Sequence, residues 1–251
     1  MSDKSHIEWT DATWNPVLGC TAVSAGCANC YAARLAPRLA RMGRKEYEGL
    51  ADERHFTGIV RLLPERLTIP QKWKRPRRIF VNSMSDLFHP QVPFKFVDKV
   101  FIAMMDAPRH IYQILTKRPE RMKEYFDGRN CAQVPDFIWV GTSIENQATA
   151  DARIPHLTEC PAAMRFLSCE PLLGPIEFFS HHTGINWIIA GGESGSGARP
   201  MEIDWVRMIR NHCAAVKIPF FFKQWGGARA GGAAILDGRE HKEYPAMAFV
   251  S

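Results

Sequence analysis

No apolar run in the sequence approaches the roughly 18 residues that a membrane span needs. The N-terminus, Met1 to Thr13, is polar where a secretory leader would carry an apolar segment. These absences imply a cytoplasmic protein, within the host cytoplasm if it is phage-encoded, with no membrane partner. Internal repeats, low-complexity tracts and obvious linkers are also missing, so residues 1–251 read as a single domain. The cysteines number seven, which cannot all pair. Without an export signal, a disulfide framework gives way to metal or catalytic roles for any thiols that lie close together.

Acidic residues are the scarcer charge, 26 against 32 Lys and Arg, for a net charge of +6. A moderate excess of this kind favours a polyanionic partner. The positives cluster in two places: Lys72, Lys74, Arg75, Arg77 and Arg78, and Arg34, Arg38, Arg41, Arg44 and Lys45. Each cluster reads either as solvated surface or as a phosphate-binding surface for nucleic acid.

What the chain does have is a regular alternation. Apolar, β-rich runs occur at Trp14–Val17, Thr57–Leu62, Arg78–Asn82, His110–Leu115, Phe137–Gly141, Met164–Ser168, Asn186–Ala190 and Pro219–Lys223. Helix-like stretches lie between them at Asn29–Met42, Pro64–Trp73, Phe94–Ala107, Pro119–Phe126, Gln147–Leu157 and Asp204–Ala215. Runs such as Ile79-Phe80-Val81 and Trp187-Ile188-Ile189-Ala190 are apolar throughout, as parallel strands buried on both faces must be. The expected class is α/β, and so many units suit a (β/α) barrel, complete or partial and TIM-like, better than an open doubly wound sheet. Polar residues follow the strands in register: Asn82 to Asp86, Thr116 to Arg118, Thr142 to Glu145, Ser168 to Glu170, Gly191 to Ser194, and Lys223 with Gln224. The C-terminal ends of parallel strands form the site in α/β folds, so this ring predicts a pocket and an enzyme.

Cys20, Cys27 and Cys30 place three thiols within eleven residues, with Gly19 and Gly26 permitting tight turns. Thiolates suit zinc or an iron–sulfur cluster. Zinc wants four ligands, and only the distant His6 and His55 could complete the set. Three thiolates on a four-iron cluster would leave one iron open, and plain core thiols are the remaining option. Cys131, Cys160 and Cys213 are scattered, as buried hydrophobes tend to be; Cys169 differs in lying within a strand-end cluster.

The N-terminal Ile7-Glu8-Trp9-Thr10-Asp11-Ala12-Thr13-Trp14-Asn15-Pro16, the three-cysteine run, Asn82-Ser83-Met84-Ser85-Asp86-Leu87-Phe88 and Gly191-Gly192-Glu193-Ser194-Gly195 together resemble the phage three-Cys-motif family of radical-SAM-like proteins, over nearly the whole chain. Against the general radical-SAM spacing the first gap is longer, six residues, and Asn29 stands where an aromatic is usual, with Tyr31 close by. The resemblance implies a barrel of radical-SAM type with a [4Fe–4S] cluster on Cys20, Cys27 and Cys30, in a loop at about residues 18–31. It also implies S-adenosylmethionine (SAM) as cofactor, cleaved to a 5′-deoxyadenosyl radical, and an electron donor such as flavodoxin or ferredoxin.

Within that frame Lys117 would pair with the SAM carboxylate, and Asn82, Ser83 and Ser85 would meet its methionine or ribose portions. Ser143 and Glu145 would accept from ribose hydroxyls, while Gly191 and Gly192 would let backbone approach the ligand. Glu193, Glu170 and Cys169 are the candidate catalytic residues, with Lys223 and Gln224 near substrate and Trp225 the tryptophan expected to face a ligand. Plainer readings exist: Lys117 as a solvated lysine at a helix start, Ser85-Asp86 as a turn, and Glu145 as a helix N-terminal acid. Charge and resemblance point to DNA or a nucleotide as substrate, with a nucleobase, in particular a hypermodified thymine, being rearranged. Radical repair similar to spore photoproduct lyase, a small-metabolite or peptide substrate, and a non-catalytic zinc or cluster nucleic-acid-binding module are the alternatives. Lys72–Arg78 is the segment expected to contact phosphates.

Overall fold

In the computed structural model, which describes residues 5–129, 132–178, 184–228 and 234–246, the apolar runs assemble into a seven-stranded, all-parallel sheet. Its strands are β1 (Ala12–Trp14), β2 (Arg78–Val81), β3 (Ile111–Thr116), β4 (Ile138–Ser143), β5 (Arg165–Cys169), β6 (Trp187–Gly191) and β7 (Phe220–Gln224). Each hydrogen-bonds to the next in chain order. The helices α1 (Tyr31–Arg41), α2 (Phe94–Met105), α3 (Pro119–Asp127), α4 (Gln147–Thr158) and α5 (Ile203–Val216) occupy connections between them or precede β2. Local chemistry sets several boundaries. Asn146 and Thr149 form a reciprocal cap at the start of α4, and α3 opens on Pro119, whose missing N–H costs nothing there.

Side chains alternate across the sheet with period two. Ile79, Val81, Ile188, Ala190, Phe220 and Phe222 join the large core beneath the helices. Phe80, Trp187, Ile189 and Phe221 point to the other, concave face, where they meet Trp9, Ile111, Trp139 and Phe166 in a second, aromatic core. Trp187 touches Trp9, Trp139, Phe166 and Phe221 there, with ring centroids 5.8–6.3 Å apart. The burial of both faces is why the strands read as continuous apolar runs.

The TIM-like (β/α) barrel expected from the sequence is corrected: the sheet is an open half-barrel. Two features prevent closure. Thr57–Leu62 supplies no eighth parallel strand; Gly58 turns with φ +90°, and only Arg61–Leu62 pairs, antiparallel, with Val17–Leu18. At the far side, the outer edge of β7 is occupied by the C-terminal segment running antiparallel to it. Phe222 N donates to His241 O (2.8 Å) and Glu243 N to Phe220 O (3.1 Å). That segment then reaches the N-terminal stretch beside β1, where Lys242 pairs with the Glu8 carboxylate and the Tyr244 hydroxyl donates to Glu8 O (3.0 Å). The expected helix Pro64–Trp73 is likewise reduced, to a 3-10 turn at Pro64–Arg66 and a single turn at Ile69–Lys72. Among the described residues no helix is long and apolar enough to cross a membrane.

Candidate active site

The segment from Gly19 to Cys30 arches over the C-terminal ends of the strands, held by charged groups from three of them. After β3, Arg118 donates to Thr21 O (3.0 Å), to Thr21 Oγ1 (2.9 Å) and weakly to Cys20 Sγ (3.7 Å). Its other partner is Asp86 (2.9 Å), itself fixed by Thr116 Oγ1 (2.7 Å). After β4, the fully buried Glu145 accepts from Ser24 Oγ (2.8 Å) and from Arg153 (3.2 Å), with Lys117 Nζ 3.6 Å away. After β6, Glu193 accepts from Asn29 Nδ2 (2.9 Å) and from Arg199 (2.6 Å), and Arg199 also donates to Ala25 O (2.8 Å). Gly19 and Gly26 make the approach possible. A Cβ at Gly19 would lie 1.9 Å from Ile59 O, and one at Gly26 2.4 Å from the Glu145 carboxylate.

Two cavities lie beneath this arch. The first, of about 170 Å³, is lined by Cys20, Cys27 and Cys30 with Asn82, Ser83, Ser85 and Arg118. The second, of about 330 Å³, is lined by Trp9, Ser168, Glu170, Glu193, Lys223 and Gln224. Gly26, Cys30, Tyr31, Phe80, Leu115, Lys117 and Ser143 border both, so the two adjoin along a wall that includes one of the thiols.

A family profile described as a protein of unknown function, DUF5131, matches residues 4–245. The chain belongs to the DUF5131 family. Neither a curated protein nor a solved structure matches it.

In this DUF5131 member most of the polar residues read from the sequence gather at the two cavities, but several are already engaged. Asn82, with φ +63°, accepts from Val17 N through Oδ1 (3.3 Å), while its Nδ2 has no partner among the described residues. Ser83 bonds Asn15 Nδ2 (3.1 Å) and Ser85 donates to Val17 O (2.8 Å). Glu145 does not line either cavity; it is spent on holding the arch. Glu193 does line the second, yet both its oxygens are taken. Burial alone would raise its pKa, but hydrogen bonds from Arg199 and Asn29 outweigh that and hold the carboxyl below its usual range. Glu170 pairs with Lys223, and Gln224 Nε2 donates to Gly192 O (3.0 Å). Gly191 lies under the Glu170–Lys223 pair. Gly192 allows a close backbone contact, since its Cβ would sit 2.0 Å from Trp225 O.

Two of the expected residues lie away from both cavities. Cys169 is fully buried in the helix-side core near Cys213, and burial raises its thiol pKa well above the ordinary value. Alternation along β5 sends Ser168 and Glu170 to the cavity and Cys169 away from it. Trp225 packs edge-on against Phe222 at 4.8 Å and lines neither cavity; Trp9 lines the second instead. Cys160 is also buried, and Cys131 lies outside the described residues.

Residues to which the sequence reading gave no role complete the family member's site: Arg118, Asp86, Arg153, Asn15 and Tyr31. Arg118 and Asp86 stood inside strand-end clusters and were legible to that extent. Arg153 sits mid-helix, and nothing in its neighbours marks it. Tyr31 hides its hydroxyl on Ser83 O (2.6 Å) while the residue as a whole stays 47% exposed at the cavity mouth.

The three thiols of the DUF5131 chain are free and partly exposed. Among the described residues no group of three or more His, Cys, Asp or Glu converges on a point where one metal ion would sit. A structural zinc would need four donors at about 2.0–2.3 Å. Thiols spread around a cavity wall, with Lys117 and Arg118 beside them, suit a larger anionic cluster held by thiolates. Burial pushes the Cys20 thiol up to about 11, with Asp86 adding and Arg118 opposing; burial also raises Cys30, opposed by the backbone N–H groups of Ala33 and Ala32 and then by Lys117. Thiols in such a site release their protons when metal binds.

Proposed function

We propose that the chain is an iron–sulfur enzyme of radical-SAM type that modifies a nucleobase, in DNA or in a nucleotide. The observation that carries the reading is the pair of adjoining cavities: one walled by three thiols, the other by polar groups at the ends of β5, β6 and β7. A cluster would be held by Cys20, Cys27 and Cys30. With SAM bound, it would supply a carbon-centred radical able to abstract hydrogen from an unactivated C–H bond.

The remaining work belongs to the protein. Lys117 and Arg118 offset negative charge beside the thiols. Asn82 offers an unpartnered buried donor on the first cavity, and Trp9 Nε1 is a second such donor at a residue lining the other. A buried donor left without an acceptor costs roughly 1–3 kcal/mol, so each favours a ligand that brings one. Glu170, Lys223 and Gln224 present an acceptor and donors on one side of the second cavity, a combination suited to a base edge. The apolar rings of Phe80 and Trp9 exclude water from that side. A one-electron donor protein such as flavodoxin or ferredoxin is the implied partner.

The test is anaerobic reconstitution. Iron and sulfide should each approach about four per chain and fall sharply when Cys20, Cys27 or Cys30 is replaced by Ala. The wild-type protein with dithionite and SAM should release 5′-deoxyadenosine. Stoichiometric zinc without iron, or full iron with no SAM cleavage, would overturn the reading.

A further inference from the structure

Helix α1 begins at the site and leads away from it. Cys30 precedes its first turn, and Tyr31 borders both cavities. Its inner face is small and buried at Ala32, Ala33 and Ala36. The outer face carries Arg34, Arg38 and Arg41 at i, i+4 and i+7, on one side of the helix, and Arg44 and Lys45 follow its end. No carboxylate interrupts residues 31–45. Arg34 is used internally, donating to Asn29 Oδ1 (2.8 Å) and Ser196 O (2.7 Å). Arg38, Arg41, Arg44 and Lys45 are exposed, and among the described residues no side-chain hydrogen bond or ion pair holds them. Apolar groups lie between the charges: Leu35 is 36% exposed and Met42 68%.

The other basic segment is equal in charge but lies at the wrong end. Arg78 opens β2 at the N-terminal edge of the sheet, opposite the cavities, where it pairs with Asp11 (3.1 Å) and covers the Tyr244 ring. Arg77 covers Trp73.

We infer that the outer face of α1 is a docking surface for single-stranded nucleic acid. Its phosphates lie on Arg38, Arg41, Arg44 and Lys45, and its bases pass Leu35 and Tyr31 towards the second cavity. The inference rests on the proposed nucleobase substrate and adds the route by which a polymer reaches the site. Cations without counter-charge, interleaved with apolar and aromatic groups, suit phosphates and stacked bases together. The helical rise of about 1.5 Å per residue sets Arg38 and Arg41 roughly 5 Å apart along the axis, with Arg44 and Lys45 continuing beyond the helix end.

The experiment is a salt titration of binding to a fluorescent oligo-dT of roughly twenty nucleotides, on metal-free and on reconstituted full-length protein. The triple variant Arg38→Gln, Arg41→Gln, Arg44→Gln is compared with an equal charge change elsewhere, Lys72→Gln, Lys74→Gln, Arg75→Gln, after circular dichroism has shown both to be folded. The α1 variant should bind about tenfold or more weakly and lower the log–log salt slope by about 0.7 per lost contact, or about two in all. The second variant should bind within about twofold of wild type. Equal losses in both variants, or none in the first, would overturn the inference. So would unchanged oligonucleotide binding combined with slower reduction by an acidic one-electron donor protein, which would give the face to that partner. Iron content and 5′-deoxyadenosine release are read separately in the same preparations, so failure here is distinguishable from failure of the radical-SAM reading.

Discussion

Gly26 sits where a single added methyl group would run into the Glu145 carboxylate, and that carboxylate cannot swing aside because Ser24 and Arg153 hold it. Gly26→Ala should therefore displace the arch rather than the core, lowering iron incorporation in a colorimetric assay while the thermal midpoint changes little. Glu145→Ala should do the reverse kind of damage. It strands Arg153 as a buried charge without its carboxylate, at a cost of about 3–5 kcal/mol, measurable by urea denaturation; Glu145→Gln, still able to accept from Ser24, should cost less. The spacing of the three cysteines marked them as neighbours, and they do line one cavity together. Where residue type alone was the clue, burial decided otherwise. Cys169 looked like a site residue from its neighbours, and a shift of one position along β5 put it on the opposite face. Arg153 was invisible because its partner, Glu145, is contributed by the loop that precedes its own helix.

The strands and long helices could be located in the sequence because apolar runs buried on both faces and helices with strong start signals are local properties. The ring of polar groups after each strand was legible for the same reason. The topology of 57–62 was not: Thr57, Ile59 and Val60 carry β propensity, but pairing with Val17–Leu18 is decided by partners some forty residues away. The concave aromatic core was equally hidden. Phe166 packs there against Trp9 and Trp187, and Phe166→Ala should cost about 3–5 kcal/mol in an equilibrium denaturation experiment, with the cysteine-bearing arch left able to react with a thiol reagent in native buffer. The loop that follows β6 is fastened by Glu193, whose folded pKa is depressed. Its contribution is fully present above the unfolded carboxyl value of about 4.3 and is lost as pH falls through the lower folded value. The thermal midpoint of wild type should thus fall more steeply than that of Glu193→Gln as the solution is acidified below about pH 4. Parallel acid profiles would remove the fastening role.

Across the whole molecule, the half-barrel is stitched at its open side by contacts between residues near the two ends of the chain. Tyr244→Ala would remove both the hydroxyl donated to Glu8 O and the ring under Arg78. Faster amide exchange at Phe222 and Glu243, with the strands β3 to β5 unaffected, is the expected mass-spectrometric signature. Nothing in the local sequence of 241–244 announces this, since its value lies in what it meets more than two hundred residues earlier. The arrangement has a consequence for biosynthesis. Until residues 241–243 have been synthesised and have docked, β7 has no neighbour on its outer side. An unpaired strand rim of Phe220, Phe221 and Phe222 is a template for other nascent chains. The segment that later covers it is thereby a chaperone carried in cis, and chains truncated before residue 241 should be found in inclusion bodies rather than in solution.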